Sequence, residues 1–237
     1  NELEILADEL KMTFLQVSER CKQMAEINPM LGKRGVRLGI LLPELYKMQV
    51  KAIIKASISV YGKNQKEFPP EIMLPMVSSF KEVNLLKKLI DDVVAEITKE
   101  FNFPINYKLG VMVETPRAAL KAGELAVISS FLSFGTNDLT QMTYGLSRDD
   151  SGTFMRDYLE KGIFPVDPFR SLDLDGVGEL LKIASKKSRA ANPSIKIGIC
   201  GEHGGDPESI DFCKKIGLDF VSCSPFRVPI ARIAAAQ

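Results

Sequence analysis

An excess of charge of either sign is missing from this chain of 237 residues, which has 31 lysines and arginines, 30 aspartates and glutamates, and a net charge of +1. No global electrostatic field therefore favours nucleic acid or an anionic membrane, and any anion site must be local. The sequence also has no signal peptide and no apolar run long enough to span a bilayer. We expect an intracellular protein of the cytoplasm, or of a plastid or glycosome, that binds neither nucleic acid nor membrane.

Motifs for metal clusters, redox chemistry and nucleotide binding are also scarce. The single histidine, His203, excludes a histidine-based metal cluster, and we expect it to order a loop. The four cysteines (Cys21, Cys200, Cys213 and Cys223) form no Cys-x-x-Cys pair and no metal-knuckle spacing, so they are interpreted as reduced thiols. All but Cys200 are assigned to packing. Neither a Gly-x-Gly-x-x-Gly turn nor a P-loop is present, so Rossmann and P-loop chemistry are not supported.

What the chain does have is a regular alternation of strand and helix, which predicts a parallel sheet covered by helices. About six apolar runs suit strands: Leu38–Leu42, Glu71–Val77, Lys108–Glu114, Phe131–Phe134, Ile195–Cys200 and Asp219–Ser224. A closed (β/α)₈ TIM-type barrel needs eight. No repeat or linker divides the chain, so we expect one domain over residues 1–237. We interpret it as an incomplete barrel whose first two strands lie upstream of Asn1, in a fragment of a larger protein.

Helical periodicity fills the segments between these runs. It predicts helices over 1–28, from Pro43 onward, and over Lys81–Glu100, Arg117–Ile128, Gly176–Ala191, Pro207–Ile216 and Pro225–Ala236. Two longer polar segments remain. Asn28–Arg37 is a glycine-punctuated basic loop, and Arg148–Asp167 is the best candidate for a mobile or interface loop.

Polar side chains follow several strands at the ends where parallel strands meet. Glu114 ends one strand, Asn137 and Asp138 follow the next, and Cys200 ends another. Because α/β enzymes keep their chemistry at this rim, two carboxylates there can hold Mg²⁺ and leave positions for substrate oxygens and water. The alternatives are structural: Asn137 and Asp138 cap the next helix, and Glu114 favours the helix that starts at Pro116 through its dipole.

Basic and thiol side chains complete the predicted rim. Arg34 and Arg37 in the basic loop can hold a phosphate or carboxylate with paired hydrogen bonds. A cysteine that ends an apolar strand, as Cys200 does, is most often a small buried hydrophobe. The Gly-Glu-His-Gly-Gly sequence that follows lets backbone approach a ligand closely, so the alternative is a pocket-facing thiol that donates or accepts a proton.

With these residues assembled, the sequence resembles the C-terminal phosphoenolpyruvate/pyruvate domain of pyruvate, phosphate dikinases, within the family of phosphoenolpyruvate (PEP)-utilising enzymes. The resemblance covers nearly the whole chain. It rests on the segments Leu31–Arg37, Gly110–Leu120, Phe134–Asp150, Gly198–Asp206 and Val221–Arg232. The middle segment is similar to the signature of all PEP-utilising enzymes, and Cys-Gly-Glu-His-Gly-Gly points to dikinases within them.

The resemblance implies a (β/α)₈ barrel in which Glu114 and Asp138 bind Mg²⁺. Asn137 and the backbone at Gly135 and Thr136 would hold substrate oxygens. The expected reaction is phosphoryl transfer between a carrier phosphohistidine and pyruvate or PEP.

The remaining rim residues take roles from the same resemblance. Arg34 would contact the phosphoryl group with Arg37 beside it, and Arg148 would bind the carboxylate. Cys200 would protonate the methylene carbon of enolpyruvate to give pyruvate, and would remove that proton in the reverse direction. Mg²⁺ and the arginines would stabilise the charge on the enolate and the transferring phosphoryl group.

Two departures from the family pattern limit what the chain can do alone. The carrier histidine of the family lies on a separate swivelling domain, in a Gly-Gly-x-Thr-Ser-His context that this chain lacks. The family's first two barrel strands carry further phosphate-binding arginines that are also missing. We therefore expect the isolated chain to fall short of full turnover, and the resemblance implies homodimers.

Two other functions stay open at this point. One is a metal-dependent aldolase or lyase that uses a pyruvate enolate on a similar barrel, against which Arg34 argues mildly. The other is a dimerisation scaffold formed by the helices and the Arg148–Asp167 loop.

Overall fold

The computed structural model describes residues 2–24 and 30–237, which form two compact units divided after Arg34. The first unit contains helices α1 (Glu2–Leu10) and α2 (Phe14–Met24). The helix predicted over 1–28 is broken because Lys11 has a φ of 53°, which ends α1. Thr13 then starts α2, where its backbone N–H donates to Gln16 Oε1 (2.9 Å) and its hydroxyl accepts from Gln16 N–H (3.3 Å).

Parts of two predictions fall on residues that the structure does not describe, and a third prediction is not tested. The end of the predicted helix, residues 25–28, and the start of the basic loop at Asn28 and Pro29 lie outside the described residues. The interpretation of residues 1–237 as one domain stays a prediction.

The second unit, Gly35–Gln237, is built on a parallel sheet, as predicted. Its strands are β1 (Glu71–Leu74), β2 (Lys108–Val113), β3 (Phe131–Gly135), β4 (Lys196–Cys200) and β5 (Phe220–Val221). They are hydrogen-bonded in the order β1-β2-β3-β4-β5, all parallel, and β1 and β5 form the two edges. Within the described residues the sheet is therefore open, and the closed barrel stays a prediction.

The register brings three strand ends together. Val113 of β2 pairs with Phe134 of β3, and Gly135 of β3 pairs with Cys200 of β4. Because all three strands run in the same direction, the residues that follow them lie together at the carboxyl ends of the strands. Pro75 directly follows β1, as expected for a residue that cannot donate to the ladder.

The run Leu38–Leu42 is not a strand, which corrects the predicted count of six to five in the described part of the chain. Val36–Leu41 forms helix α3 instead. The Val36 N–H donates to the Pro75 carbonyl (2.9 Å), and the Tyr46 ring covers Gly39 so closely that a Cβ there would lie 2.5 Å from it. The Pro75 contact comes from a residue distant in sequence, so the local apolar pattern does not indicate it.

Helices after α3 cover the sheet, and those predicted from periodicity begin and end near the predicted residues. They are α4 (Pro43–Tyr61), α5 (Phe80–Phe101), α6 (Pro116–Leu120), α7 (Ala122–Ile128), α8 (Thr136–Tyr144), α9 (Met155–Glu160), α10 (Val177–Ala191), α11 (Pro207–Lys215) and α12 (Val228–Ala236). The helix predicted over Arg117–Ile128 is split into α6 and α7. No helix in the described residues has both the length and the apolar character that crossing a membrane requires.

Helix α5 shows how the sequence determines these elements. Ser79 accepts from the Glu82 N–H and the Glu82 carboxylate accepts from the Ser79 N–H, so a capping box starts the helix. Asn102 ends it with a left-handed φ of 57°. Its predicted apolar face is buried against the sheet: Val83, Leu86, Ile90, Val94 and Ile97.

The Arg148–Asp167 segment contains local structure. A 3₁₀ turn (Ser151–Thr153) and helix α9 lie within it. The ring of Phe164 packs at 5.3 Å from that of Tyr144 and at 5.1 Å from that of Tyr158, between ring centroids. This aromatic cluster anchors the segment to α8. A mobile or interface role for it stays a prediction.

Candidate active site

Glu114, directly after β2, has a buried carboxylate held from two sides. Its Oε1 accepts a hydrogen bond from the Met76 N–H (2.6 Å). Met76 has a φ of 55°, which is rare for a residue with a side chain and is typical of strained functional sites. On the other side lies Gly135, where a Cβ would come within 2.5 Å of Glu114 Oε2. The end of β1 and the missing side chain at Gly135 therefore fix the position of this carboxylate.

The capping alternative for Asn137 and Asp138 does not match the observed helix starts, whereas the dipole alternative for Glu114 is not tested by them. The cap of α6 is Thr115, whose hydroxyl accepts from the Ala118 N–H (3.1 Å). Helix α8 starts after Gly135 without a side-chain cap, so Asn137 and Asp138 lie inside its first turn. Capping by these two residues, considered as the alternative, is therefore wrong.

Asn137 and Asp138 instead make contacts across the rim. Asn137 Oδ1 accepts from the Glu202 N–H (3.2 Å), which points its amide oxygen towards the loop after β4. Asp138 Oδ1 accepts from Gln141 Nε2 (3.2 Å), and Gln141 Oε1 accepts from the Arg148 N–H (2.7 Å). The buried Gln141 thus connects a predicted metal ligand to a predicted carboxylate clamp.

Arg148 lies at the wall of a cavity of about 500 Å³ that Arg170 and Arg227 also line. Its guanidinium forms an ion pair with Glu202 (Nη2 to Oε1, 3.2 Å), and both side chains are about half exposed, at 43% and 55%. An exposed pair of this kind contributes little stability. A substrate carboxylate can therefore exchange with Glu202 at small energetic cost.

Cys200 ends β4 and lines a second cavity of about 230 Å³, together with Cys223 and Arg227. Its Sγ lies 3.5 Å from the Phe134 carbonyl oxygen and 3.5 Å from Met112 Sδ. The thiol is half-buried and borders open space, which is the environment expected of a pocket-facing thiol.

Burial raises the pKa of the Cys200 thiol above its ordinary value. A hydrogen bond with Ser133 lowers that pKa, and the negative charges of Glu114 and Asp138 raise it again. The net direction is upwards, so the thiol is protonated at neutral pH. The two carboxylates are also close enough to act on this one thiol, which brings the predicted metal ligands and the predicted acid together.

The loop after β4 is tied to the end of β3. The Thr136 hydroxyl donates to the Cys200 carbonyl oxygen (2.8 Å), beside the bond from Glu202 N–H to Asn137. Between them, Gly201 has a φ of +100°, and a Cβ there would lie 2.8 Å from Thr136 Oγ1 and 3.0 Å from Asn137 Oδ1. Only glycine fits this backbone and this spacing.

Gly201→Ala is expected to detach this loop and to lower the activity of the site by about 10²-fold, as a displacement of about 1 Å can. The matched control is Gly217→Ala, which has a similarly left-handed φ of +76° but open space around it. Steady-state kinetics and thermal unfolding of both variants check this. Equal losses of activity in the two variants would show that backbone strain alone, rather than the tie to Thr136 and Asn137, is responsible.

The arginines of the basic loop belong to different units. Arg34 is in the first unit, where its Nη1 donates to the Met30 carbonyl (3.4 Å). Arg37 is in the second unit, half-buried on α3. Phosphate binding by either residue stays a prediction.

Sequence reasoning missed several residues that shape this rim: Met76, Met112, Ser133 and Gln141. A signal existed for two of them. Gln141 follows Asp138 by three residues and thus shares its helix face. Ser133 is a polar residue within an otherwise apolar strand. The left-handed φ of Met76 had no signal in the sequence.

The donor set fits Mg²⁺ better than a closed metal site. In residues 2–24 and 30–237, no group of three or more His, Cys, Asp and Glu side chains could hold a metal ion. Mg²⁺ binding by Glu114 and Asp138, with substrate and water oxygens completing the shell, stays a prediction. Mg²⁺ is commonly bound in this way, by one or two carboxylates plus substrate oxygens.

Comparison with known proteins gives matches along most of the chain. A family model described as "PEP-utilising enzyme, PEP-binding domain" matches residues 5–237. Pyruvate, phosphate dikinase of Clostridium symbiosum is 49% identical over 232 residues, which are 98% of this chain and 26% of that protein. The chloroplastic pyruvate, phosphate dikinase of Mesembryanthemum crystallinum is 54% identical over 222 residues, 94% of this chain and 23% of that protein.

The chain thus spans about a quarter of the length of the curated relatives it matches. Among solved structures, a citrate lyase from Burkholderia xenovorans LB400 aligns with a TM-score of 0.48 and 15% identity, over 70% of this chain and 48% of that one.

Proposed function

The chain belongs to the PEP-binding domain family of PEP-utilising enzymes, and from this we propose that it carries out the pyruvate half-reaction of pyruvate, phosphate dikinase. In that reaction a phosphoryl group passes between a carrier phosphohistidine on a separate swivelling domain and the enolate oxygen of pyruvate. Identities of about 50% to dikinases over nearly the whole chain support this choice within the family. The single observation that carries it is that Cys200 pairs in the sheet with Gly135, whose backbone lies directly against the Glu114 carboxylate.

The rim residues bind and orient the substrate. Glu114 and Asp138 would hold Mg²⁺, which when bound supplies positive charge for the enolate and phosphoryl oxygens. Asn137, whose amide oxygen is engaged by the Glu202 N–H, presents its NH₂ group as a donor to substrate oxygens. Arg148 exchanges its exposed partner Glu202 for the substrate carboxylate.

Cys200 handles the proton. When PEP is consumed, the P–O bond breaks, the phosphoryl group forms a P–N bond with the carrier histidine, and the enolate receives a proton from the thiol at its methylene carbon. In the reverse direction the thiolate takes a proton from the methyl group of pyruvate, and the enolate oxygen attacks the phosphohistidine phosphorus. Because burial raises the pKa of the thiol, the protonated form that serves PEP consumption predominates at neutral pH.

The test is the half-reaction itself, in a full-length protein that carries this chain. Incubation with ³²P-labelled PEP and Mg²⁺ is expected to give an acid-labile phosphoprotein and pyruvate in equal amounts. The chain alone is expected to release no pyruvate, since it has no carrier histidine in the family context. Pyruvate release without a phosphoprotein would contradict the proposal. Homodimerisation through this domain is part of the same proposal, and sedimentation analysis tests it.

A further inference from the structure

His203, the single histidine of the chain, lies fully buried in the loop after β4 and has no part in the half-reaction described above. Its Nδ1 is 2.7 Å from Thr136 Oγ1, and its Nε2 is 2.8 Å from the Pro168 carbonyl oxygen. The imidazole therefore connects three segments: the loop after β4, the start of α8, and the segment that precedes α10.

The hydrogen atoms in this network can be counted. The carbonyl oxygens of Pro168 and Cys200 can only accept, so His203 Nε2 and the Thr136 hydroxyl must each donate to make these contacts hydrogen bonds. Thr136 has a single hydroxyl hydrogen. If it donates to the Cys200 carbonyl (2.8 Å), Nδ1 must donate to Thr136, and the imidazole then carries two protons.

A neutral imidazole cannot satisfy all three contacts. With its proton on Nε2, the Thr136 hydroxyl must choose between His203 Nδ1 and the Cys200 carbonyl. With its proton on Nδ1, the Pro168 carbonyl loses its donor. The protonation and tautomer of His203 therefore decide whether Thr136 ties down the peptide that carries the thiol.

We propose that His203 is a positioning residue for Cys200, acting through the Thr136 hydroxyl on the Cys200 carbonyl. The inference rests on the proposed function, which requires the Cys200 thiol to stay in position for proton transfer. The consequence is geometric. When the Thr136 hydroxyl turns to His203, the Cys200 carbonyl loses its donor, while the bond from Glu202 N–H to Asn137 and the Arg148–Glu202 ion pair remain, and the thiol moves relative to the carboxylates.

The surroundings of the imidazole determine the pH at which His203 gains its second proton. Burial lowers the pKa of His203, the Pro168 carbonyl raises it, the charges of Asp206 and Glu202 raise it, and that of Arg148 lowers it. The net direction is downwards, so the neutral form predominates at neutral pH. As the pH falls below about 6.5, the population of doubly protonated His203, in which Thr136 can donate to the Cys200 carbonyl, increases.

Two variants separate the contacts. In His203→Leu both polar contacts are lost. In His203→Asn the side-chain amide can reproduce the donor at Nδ1 without titrating, so Thr136 can donate to Cys200 at any pH. Both variants are made in a full-length protein that carries this chain.

Two readouts are measured: kcat and KM of pyruvate formation from PEP as a function of pH, and the rate at which iodoacetamide alkylates Cys200, resolved by peptide mass spectrometry. Cys213 is the internal control, since it is buried and its pKa is raised to about 12.

His203→Leu removes the acceptor that competes for the Thr136 hydroxyl, so Thr136 is expected to donate to the Cys200 carbonyl at every pH. Its kcat is expected to lose the wild-type dependence on pH below about 6.5, with KM for PEP changed less than about threefold. Its Cys200 alkylation profile is expected to shift along the pH axis, and that of Cys213 to stay the same. His203→Asn is expected to behave in the same way, because its amide does not titrate and its kcat therefore loses the wild-type dependence on pH below about 6.5.

Other outcomes overturn the inference. A His203→Leu variant with the wild-type pH dependence of kcat and of Cys200 alkylation would do so. Equal loss of pyruvate formation and of carrier phosphorylation by ATP, with faster alkylation of every cysteine, would also do so, because it indicates a purely structural role. Failure of the proposed function has a different signature. The wild-type protein would then form no pyruvate from PEP, while the selective alkylation shift in His203→Leu would still support the positioning of Cys200.

Discussion

Replacement of Cys200 by alanine is expected to lower pyruvate formation from PEP by about 10³-fold, within the range that general acid catalysis contributes. The thiol lies at the end of β4, half-buried, between the carboxylates of the rim and a cavity of about 230 Å³. No other described cysteine, histidine or lysine lines that cavity except Cys223. Phosphorylation of the carrier histidine by ATP and phosphate is expected to stay at the wild-type rate, because it needs no proton transfer at carbon.

Cys223→Ala is the matched control, since it removes a thiol from the same cavity without touching the carboxylates. It is expected to retain pyruvate formation within about threefold. Rapid-quench measurement of both half-reactions checks the pair of variants. If Cys200→Ala formed pyruvate at the wild-type rate, Cys200 would be a packing residue and another group would deliver the proton.

Gly135→Ala is the second substitution with a large expected effect. The added methyl group would lie 2.5 Å from Glu114 Oε2 and 2.8 Å from Glu114 Cβ, so the carboxylate must move. Its Oε1 would then lose the Met76 N–H. We expect divalent-cation affinity to fall about 10-fold to 100-fold, as it does when groups that orient a metal ligand are lost. PEP affinity measured with Mg²⁺ is expected to fall with it.

Gly110→Ala controls for damage to the sheet. Gly110 lies in β2 of the same sheet, and a Cβ there would meet the Phe131 ring at 2.1 Å, far from Glu114 in the register. This variant is expected to lose thermal stability and to keep its metal affinity. Calorimetric titration with thermal unfolding separates the two effects. Equal metal affinities in the two variants would show that Gly135 does not position the Glu114 carboxylate for metal binding.

Elements that local patterns specify were predictable from the sequence. The apolar face of α5 lies within one stretch of chain, and the structure has it where periodicity predicts it. The parallel sheet follows from the alternation of apolar runs and helices. The convergence of Glu114, Asp138 and Cys200 follows from it, since each residue ends or follows a strand of that sheet.

Features that depend on distant contacts were not predictable. Leu38–Leu42 has the composition of a strand, and it is helical in part because of Pro75 and the Tyr46 ring. Met76 donates its N–H to Glu114 from a left-handed backbone conformation. The residue type does not predict this conformation, because a methionine rarely adopts it.

The central claim is that Glu114 and Asp138 together hold one divalent cation beside Cys200. The most direct measurement is a titration with Mn²⁺, a paramagnetic substitute for Mg²⁺, followed by electron paramagnetic resonance in a full-length protein that carries this chain. Oxalate, which resembles the pyruvate enolate in charge and shape, is added as the probe for substrate oxygens. Glu202→Gln is the control, because Glu202 lies on the same rim and pairs with Arg148.

We predict a single Mn²⁺ site at Glu114 and Asp138 whose affinity for Mn²⁺ rises when oxalate is added. This affinity is predicted to fall at least about 10-fold in Glu114→Gln and in Asp138→Asn. Glu202→Gln is predicted to bind Mn²⁺ as the wild type does. Oxalate-dependent Mn²⁺ binding that is unchanged in both Glu114→Gln and Asp138→Asn would contradict the account.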